Sequence, residues 1–208
     1  MIKALFLIFE PDAAWDRVVQ SGRSLKSVLF FYLLPMMLVV AAAEGFGLVE
    51  WGERNAAIGL VRKFSASEAV VYELMQSLLM LMAIVACAHF LKMLGKTERR
   101  GVTYLQTFTV VIYGLSPLFL LRLLDAVPAI NPWIIWGVGI ALSISILYHG
   151  IPRVMEPEPT EAFGLYFISS LVLVATTGLE RFITVWYLEG RMRPLDDIVA
   201  RLLRHLPF

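Results

Sequence analysis

Long apolar runs alternate with short polar segments, rich in proline and glycine, along the 208-residue chain. A helix needs about 20 consecutive apolar residues to cross the hydrocarbon core of a bilayer. Five runs meet that requirement, at about residues 27–45, 68–95, 103–125, 131–152 and 160–190. The pattern therefore predicts an all-α integral membrane protein, with a bundle of about five transmembrane helices in residues 27–190.

Polar residues at the start of three runs support these limits. Ser65 and Glu68 have the Ser-x-x-Glu spacing of a capping box, in which each side chain satisfies a backbone N–H that the helix leaves unpaired. Thr103 and Gln106 repeat this spacing, and Asn131 followed by proline is another common helix start. We therefore expect the second, third and fourth spans to begin at these residues.

Amphipathic segments flank the predicted bundle, residues 1–26 before it and residues 191–208 after it. In the first, a helix that starts at Pro11 places Trp15 at the membrane interface, where tryptophan is enriched. In the second, apolar residues recur at helical spacing, and Arg201 and Arg204 fall on other faces. We expect this tail to lie on the membrane surface; packing against the chain's own loops or a second copy is the alternative.

The composition agrees with a membrane protein, since 59% of the residues are hydrophobic, 17% are charged and the mean hydropathy is +0.74. The net charge of +1 gives no overall field that would recruit nucleic acid. The single cysteine, Cys87, excludes a disulfide within one chain. His89, His149 and His205 lie on separate elements without metal-ligand spacing, so we predict no metal and no cofactor.

The orientation is predicted from basic residues in the connections, which are enriched on the cytoplasmic side. With five spans, each side of the membrane carries nine Lys and Arg residues, so the totals do not decide. The short connection at 92–100 is densely basic, however, whereas Arg122 and Arg181 lie inside spans. We therefore predict a cytoplasmic N-terminus and a C-terminus on the opposite side.

The sequence pattern Phe-x-Pro-x-x-x-Trp at residues 9–15 precedes five close-set spans, and the third span contains Tyr-Gly-Leu-Ser at residues 113–116. This layout resembles the Yip (Ypt/Rab-interacting protein) family over nearly the whole chain. The segment 113–116 is similar to the Tyr-Gly-Tyr-Ser of eukaryotic members. The resemblance is to a compact bacterial-type member, which implies a multi-pass protein of the bacterial inner membrane.

The resemblance also implies a cytoplasmic N-terminus and a non-enzymatic membrane role. We expect a function in membrane organisation or as a scaffold, with membrane lipids, another membrane protein or a second copy of the chain as partner. Eukaryotic members act in traffic between the endoplasmic reticulum and the Golgi, and associate with prenylated Rab-type GTPases through a cytosolic N-terminal region. This chain has only 26 residues before its first predicted span and lacks the family's Asp-Leu-Tyr and Gly-Pro signature. GTPase binding is therefore not carried over, and the family provides no catalytic residue.

Kinks or close helix packing are predicted at five positions: Pro35, Gly114, Ser116, Pro117 and Gly137. The residues around Ser116 also fit the Gly-x-Ser pattern of intramembrane serine proteases. Ser116, however, lies about 20 Å into its helix, whereas His89 and His149 lie near the cytoplasmic ends of theirs, beyond hydrogen-bond reach. We instead predict that Ser116 binds a carbonyl freed by Pro117, and expect Ser116→Ala to leave folding nearly intact.

Six charged residues lie inside four predicted spans: Glu44, Glu73, Arg122, Asp125, Glu180 and Arg181. A charge at the bilayer centre costs at least about 2.5 kcal/mol, so helices usually turn such groups inward and pair them. Alternating topology puts all six in the non-cytoplasmic half, and we expect them to converge there. Structural pairing or snorkelling to the surface is one interpretation. A polar cavity for an ion or a lipid headgroup, as in a small transporter or channel subunit, is the other.

Overall fold

A computed structural model describes residues 2–54, 61–95 and 101–190, which form a bundle of helices. The helices are α1 (Ile2–Phe9), α2 (Pro11–Gln20), α3 (Leu25–Val28), α4 (Leu34–Glu50), α5 (Ala66–Leu94), α6 (Tyr104–Gly114), α7 (Ser116–Arg122), α8 (Pro132–Met155) and α9 (Ala162–Leu188). A π-helical turn (Leu29–Leu33) joins α3 to α4, and a 3-10 turn (Leu123–Ala126) follows α7. Two short antiparallel strands, β1 (Glu53–Arg54) and β2 (Val61–Arg62), follow α4. The tail predicted as an amphipathic helix, 191–208, with Arg201 and Arg204, lies outside the described residues.

Among the described residues, five helical stretches are long and apolar enough to cross a membrane, which confirms the predicted number. They are Leu25–Glu50, Ala66–Leu94, Tyr104–Ala126, Pro132–Met155 and Ala162–Leu188, named span 1 to span 5 below. The shortest has 23 residues. At about 1.5 Å per residue, each therefore exceeds the roughly 30 Å of hydrocarbon.

The capping residues predicted from the sequence make the expected contacts. The Ser65 hydroxyl accepts a hydrogen bond from the Glu68 N–H, and the Glu68 carboxylate accepts one from the Ser65 N–H at 2.8 Å. Thr103 and Gln106 form the same reciprocal pair at the start of span 3. The Asn131 side chain accepts from the N–H two residues later at 2.9 Å. These starts are local in origin, which explains why the sequence predicts them well.

Proline disrupts spans 1 and 3 at two of the predicted positions. Pro35 has no N–H to donate to the carbonyl four residues earlier, and the backbone forms the wider π-helical turn Leu29–Leu33 just before it. In span 3, Pro117 likewise leaves the carbonyl of Tyr113 without its helical donor. The helix is interrupted at Leu115, between α6 and α7.

Span 4 continues beyond the end predicted at 150–152. The helix extends to Met155 and contains Pro152 in its interior. Its last turn is held from outside, because the Arg153 guanidinium pairs with two aspartates of α2 at 2.8 and 3.2 Å. These tertiary contacts compensate for the single backbone hydrogen bond that the proline removes.

The N-terminal helices pack against the bundle. Trp15 has no exposed surface; its ring lies over Gly150, and its Nε1 donates to the Ile146 carbonyl at 3.1 Å. The Trp15 ring therefore lies inside the protein, because Gly150 leaves room for it, and its interfacial depth stays a prediction. Helix α1 adds Ala4 and Leu7 to the same core.

Glycines allow close contact between helices, but not at the predicted Gly137. A Cβ on Gly137 would have no atom of another element within 4 Å, so the predicted contact there is wrong. Gly139, two positions later, faces α7, and a Cβ there would lie 3.0 Å from the Cα of Leu118. Gly114 faces α8 at similarly close range, against Leu147. The small residues are visible in the sequence, whereas the face that meets a neighbour is set by the packing.

Two apolar layers fill the interior of the bundle. On spans 1, 2 and 5, the larger layer includes Met36, Met80 and Leu173, and the smaller layer includes Leu48, Tyr72 and Tyr187. The larger layer also contains the N-terminal helices, so it occupies the half of the bundle nearest the N-terminus. In the sequence of each of these spans, the buried charged residues lie between the residues of the larger layer and those of the smaller layer.

Candidate functional site

Arg122 lies within 4 Å of three carboxylates. Its Nη1 donates to Oε1 of Glu180 at 3.2 Å, and ion pairs extend to Glu44 at 3.6 Å and Asp125 at 3.9 Å. The Arg122 side chain is only 5% exposed. A guanidinium remains charged and offers several donors in a fixed plane, which suits a position shared by several carboxylates. Arg122 therefore connects span 1, span 3 and span 5.

A second arginine extends this arrangement to span 4. Nη2 of Arg181 donates to Oδ1 of Asp125 at 2.6 Å and to the carbonyl of Pro132 at 3.0 Å. Asp125 therefore lies between the two arginines, with one oxygen toward each. We call the set Glu44, Arg122, Asp125, Glu180 and Arg181 the charge network.

Uncharged side chains of α5 hold the carboxylate of Glu44. The Tyr72 hydroxyl lies 2.9 Å from Oε1 of Glu44, and Nε2 of Gln76 donates to Oε2 at 2.6 Å. Tyr72 and Gln76 are four residues apart, so they lie on one face of the helix and also contact each other at 2.6 Å. Sequence analysis did not select these two residues. A glutamine within an apolar run was the signal that could have found them.

Glu73 lies beside the charge network, but makes none of its hydrogen bonds. Both carboxylate oxygens are buried without a hydrogen-bond partner among the described residues. Its side chain packs against Gly45 and lines a recess of about 10 Å³ together with Gln76 and Arg122. That space holds at most about one water molecule. Of the six predicted residues, Glu73 is therefore the one that the structure leaves outside the ion pairs.

Glu53 of β1 extends the acidic surroundings beyond the spans. Burial, together with the carboxylates of Asp125 and Glu44, raises the pKa of Glu53 to about 7, and Arg181 partly opposes this shift. Sequence analysis missed Glu53 because it lies in a polar connection, where a carboxylate is expected in water. It lies three residues beyond the end of α4, within electrostatic reach of Asp125 and Glu44.

Apolar side chains enclose the charge network along the bundle. Met80 lies one turn beyond Gln76, and Phe119 lies one turn before Arg122, both nearly fully buried on the side of the larger apolar layer. The second recess that reaches Arg122, beside Glu180, has essentially no free volume. In the described ranges, no group of three or more His, Cys, Asp or Glu residues is arranged to hold a metal ion.

Ser116 has a structural role in this arrangement. Its Oγ donates to the Tyr113 carbonyl at 2.6 Å, the same carbonyl that Pro117 leaves without a donor, and the Tyr32 hydroxyl binds to Oγ. The serine has no exposed surface. His149, one candidate base, is bound by an aspartate of α2 at 2.7 Å. Loss of the Ser116 hydroxyl would also deprive Tyr32 of a partner. Ser116→Ala is therefore expected to cost about 1–3 kcal/mol, more than the nearly intact folding that the sequence predicts.

A comparison of the sequence with known protein families identifies the family to which this chain belongs. Residues 5–179 match the Yip1 domain, a range that includes the last five of the eight residues of α1, spans 1 to 4 and most of span 5. The chain belongs to the Yip1 family. Of the network, Glu44, Arg122 and Asp125 lie within the Yip1 match, whereas Glu180 and Arg181 follow directly after it. No curated protein and no solved structure matches the chain.

Proposed function

We propose that this Yip1-family protein is a non-enzymatic membrane protein that organises the membrane or scaffolds other components through lipid or protein partners. The observation that supports this most directly is that the charged side chains inside the bundle pair with one another across the spans. Arg122 and Arg181 bind carboxylates of spans 1, 3 and 5, and the recesses beside them hold about 10 Å³ or less. The charges thus fix helices to one another.

A transporter needs a continuous polar path between the charge network and the side of the membrane that carries the N-terminus. Met80 and Phe119 occupy that direction, with 1% and 2% of their surface exposed. Ion pairs also occupy five of the six interior charges, and only Glu73 among them is left outside these pairs in the described residues. These features favour the scaffold over the small transporter or channel subunit.

The remaining surface of the spans is suited to lipid or to a neighbouring transmembrane helix. Large apolar side chains are exposed along it, for example Phe31 at 78% and Phe163 at 71%. Such residues are stable in hydrocarbon and would be unfavourable in water. We place this surface in a bacterial inner membrane with the N-terminal helices on the cytoplasmic side, on the basis of the basic connection at 92–100.

Ion flux measured with reconstituted protein tests the choice between scaffold and transporter. The purified protein is reconstituted into liposomes that contain a pH-sensitive dye, and a proton or potassium gradient is imposed. We expect the gradient to decay at the rate of protein-free liposomes. If the protein gives a faster flux than this, and Glu73→Gln or Arg122→Ala abolishes the excess, a transport path would be established and the proposal overturned.

Photo-crosslinking tests the partner side of the proposal. A photoreactive residue is introduced in place of Phe31 or Phe163 in native membranes, and at buried Phe119 as the control. We expect discrete lipid or protein adducts at the two exposed positions and only intramolecular crosslinks at the control. Equal patterns at exposed and buried positions would contradict an interaction surface on the spans.

A further inference from the structure

A second polar site lies at the end of the bundle opposite the charge network. The cavity there has a volume of about 280 Å³ and is lined by α2, the starts of spans 1 and 3 and the end of span 4. This volume is near the lower end of the roughly 300–1,000 Å³ that small-ligand pockets have. The helix caps Ser24 and Thr103 mark the first turns of spans 1 and 3, so the cavity lies at the level where the spans enter the membrane.

One buried O–H in this cavity has no acceptor in the part of the chain that the structure describes. Tyr113 is 1% exposed; the Arg23 guanidinium donates toward its oxygen, whereas its own O–H proton has no acceptor among the described residues. Its ring is held in place by Tyr32 and Trp15, at centroid distances of 4.3 and 6.1 Å. A buried O–H without an acceptor is unfavourable, so an occupant that accepts its hydrogen bond would bind more tightly.

The charges around the cavity indicate the kind of acceptor. The Arg23 guanidinium lies beside the Tyr113 hydroxyl, within electrostatic reach of it. Arg153 also lines the cavity, although two aspartates of α2 already bind it. Two donors, one of them cationic, thus face one space, and a phosphate matches a guanidinium through paired hydrogen bonds. Glu156, which lines the same cavity, would meet the ammonium or hydroxyl part of a headgroup.

The rest of the lining is apolar and includes Val19, Val28 and Leu105. An occupant therefore needs a phosphate at one end and an apolar part at the other. Phospholipids have this chemistry and are present at this depth, and basic pockets between transmembrane helices are known to bind their headgroups.

We propose that this cavity binds the phosphate of a membrane phospholipid, with Arg23 as the ion-pair partner and the Tyr113 hydroxyl as a hydrogen-bond donor. The glycerol and upper acyl region then pack against the valines and Leu105. The inference rests on the proposed function, for which it specifies one lipid partner and the residues that bind it.

Native mass spectrometry of the detergent-purified protein, titrated with phosphatidylglycerol or phosphatidylethanolamine, tests this assignment. We expect one tightly bound phospholipid per chain, and about tenfold weaker binding by Arg23→Gln and by Tyr113→Phe, the effect of losing one charge-assisted contact. Tyr113→Phe retains the ring that packs on Tyr32. Lys26→Gln removes an exposed charge from the same segment, and should bind lipid as the wild type does.

Equal lipid binding by the wild type, Arg23→Gln and Tyr113→Phe would overturn the proposal. Protection from thermal unfolding by glycerol 3-phosphate as strong as that by lipid would show a soluble phosphate site and also overturn it. Melting temperatures of the same samples separate lost binding from lost folding. If Tyr113→Phe does not fold, the decisive comparison is between Arg23→Lys, which keeps the charge and should bind lipid, and Arg23→Gln, which should not; equal binding by these two variants would overturn the proposal. The titration has no flux readout, so its failure leaves the scaffold proposal standing. Flux in liposomes, conversely, would overturn the scaffold without affecting lipid binding.

Discussion

Arg122 couples three spans through a single side chain, because its partners Glu44 and Glu180 belong to spans 1 and 5. Deleting one partner of a buried ion pair costs about 3 to 5 kcal/mol, since a charge remains uncompensated. We expect Arg122→Ala to lower the free energy of unfolding in detergent by that amount. Arg62→Ala is the matched control. Arg62 pairs with Glu68 while 40% exposed, and exposed pairs contribute under about 1 kcal/mol. Equal losses in denaturant titrations of the two variants would contradict this role.

Glu53 gives the protein a predicted dependence on pH. Burial, with the carboxylates of Asp125 and Glu44 nearby, raises its pKa from 4.5 to about 7 in the folded protein. The folded state therefore holds this proton more tightly, and the stability gained is complete below pH 4.5 and lost as the pH rises through 7. Thermal melts across this interval should show a smaller fall for Glu53→Gln than for the wild type. Glu50→Gln, at an exposed position, should behave as the wild type; identical slopes for all three would exclude Glu53 as the source.

At the scale of elements, the sequence predicts what is decided locally. The box of Ser65 and Glu68 needs only four residues, and Pro35 disrupts its helix through a missing N–H, whatever lies nearby. The sequence predicts the end of span 4 too early, because the partners of Arg153 lie on α2, which is distant in sequence. Helix faces are set by the same kind of distant contact, which explains why Gly139 rather than Gly137 contacts a neighbour.

The docking of α2 gives a prediction at this scale. A Cβ on Gly150 would overlap the Trp15 ring, whereas a Cβ on Gly137 meets nothing within 4 Å. Overpacking of a buried site costs about 1–3 kcal/mol, but alanine in an open helical site is favourable by about 1 kcal/mol over glycine. Gly150→Ala should therefore lower the melting temperature and accelerate hydrogen exchange over Pro11–Gln20, and Gly137→Ala should do neither. Unchanged exchange in Gly150→Ala would show that Trp15 does not hold α2.

For the whole molecule, alternating topology brings distant charges to one level of the bundle. Glu44 and Arg122 are far apart in the sequence, yet both lie near the same ends of their spans, and the structure joins them. The sequence does not show which uncharged residues hold a carboxylate, so Tyr72 was missed. It also does not show that Glu73 would be left without an ion pair, because this depends on the rotation of α5 about its axis.

Five spans place successive connections on alternating sides of the membrane. Labelling of single introduced cysteines can test this in a Cys87→Ala background, in which the chain's own buried cysteine is removed. Ser21→Cys and Glu158→Cys, at exposed positions before span 1 and between spans 4 and 5, should react with a membrane-impermeant maleimide only in inside-out vesicles. Lys63→Cys and Ala129→Cys, in the first and third connections, should react only in intact spheroplasts. The reverse pattern at all four sites would retain five spans and overturn the cytoplasmic N-terminus. Labelling of Ser21→Cys and Lys63→Cys from the same side would remove span 1 as a crossing, and with it the common depth of Glu44 and Arg122.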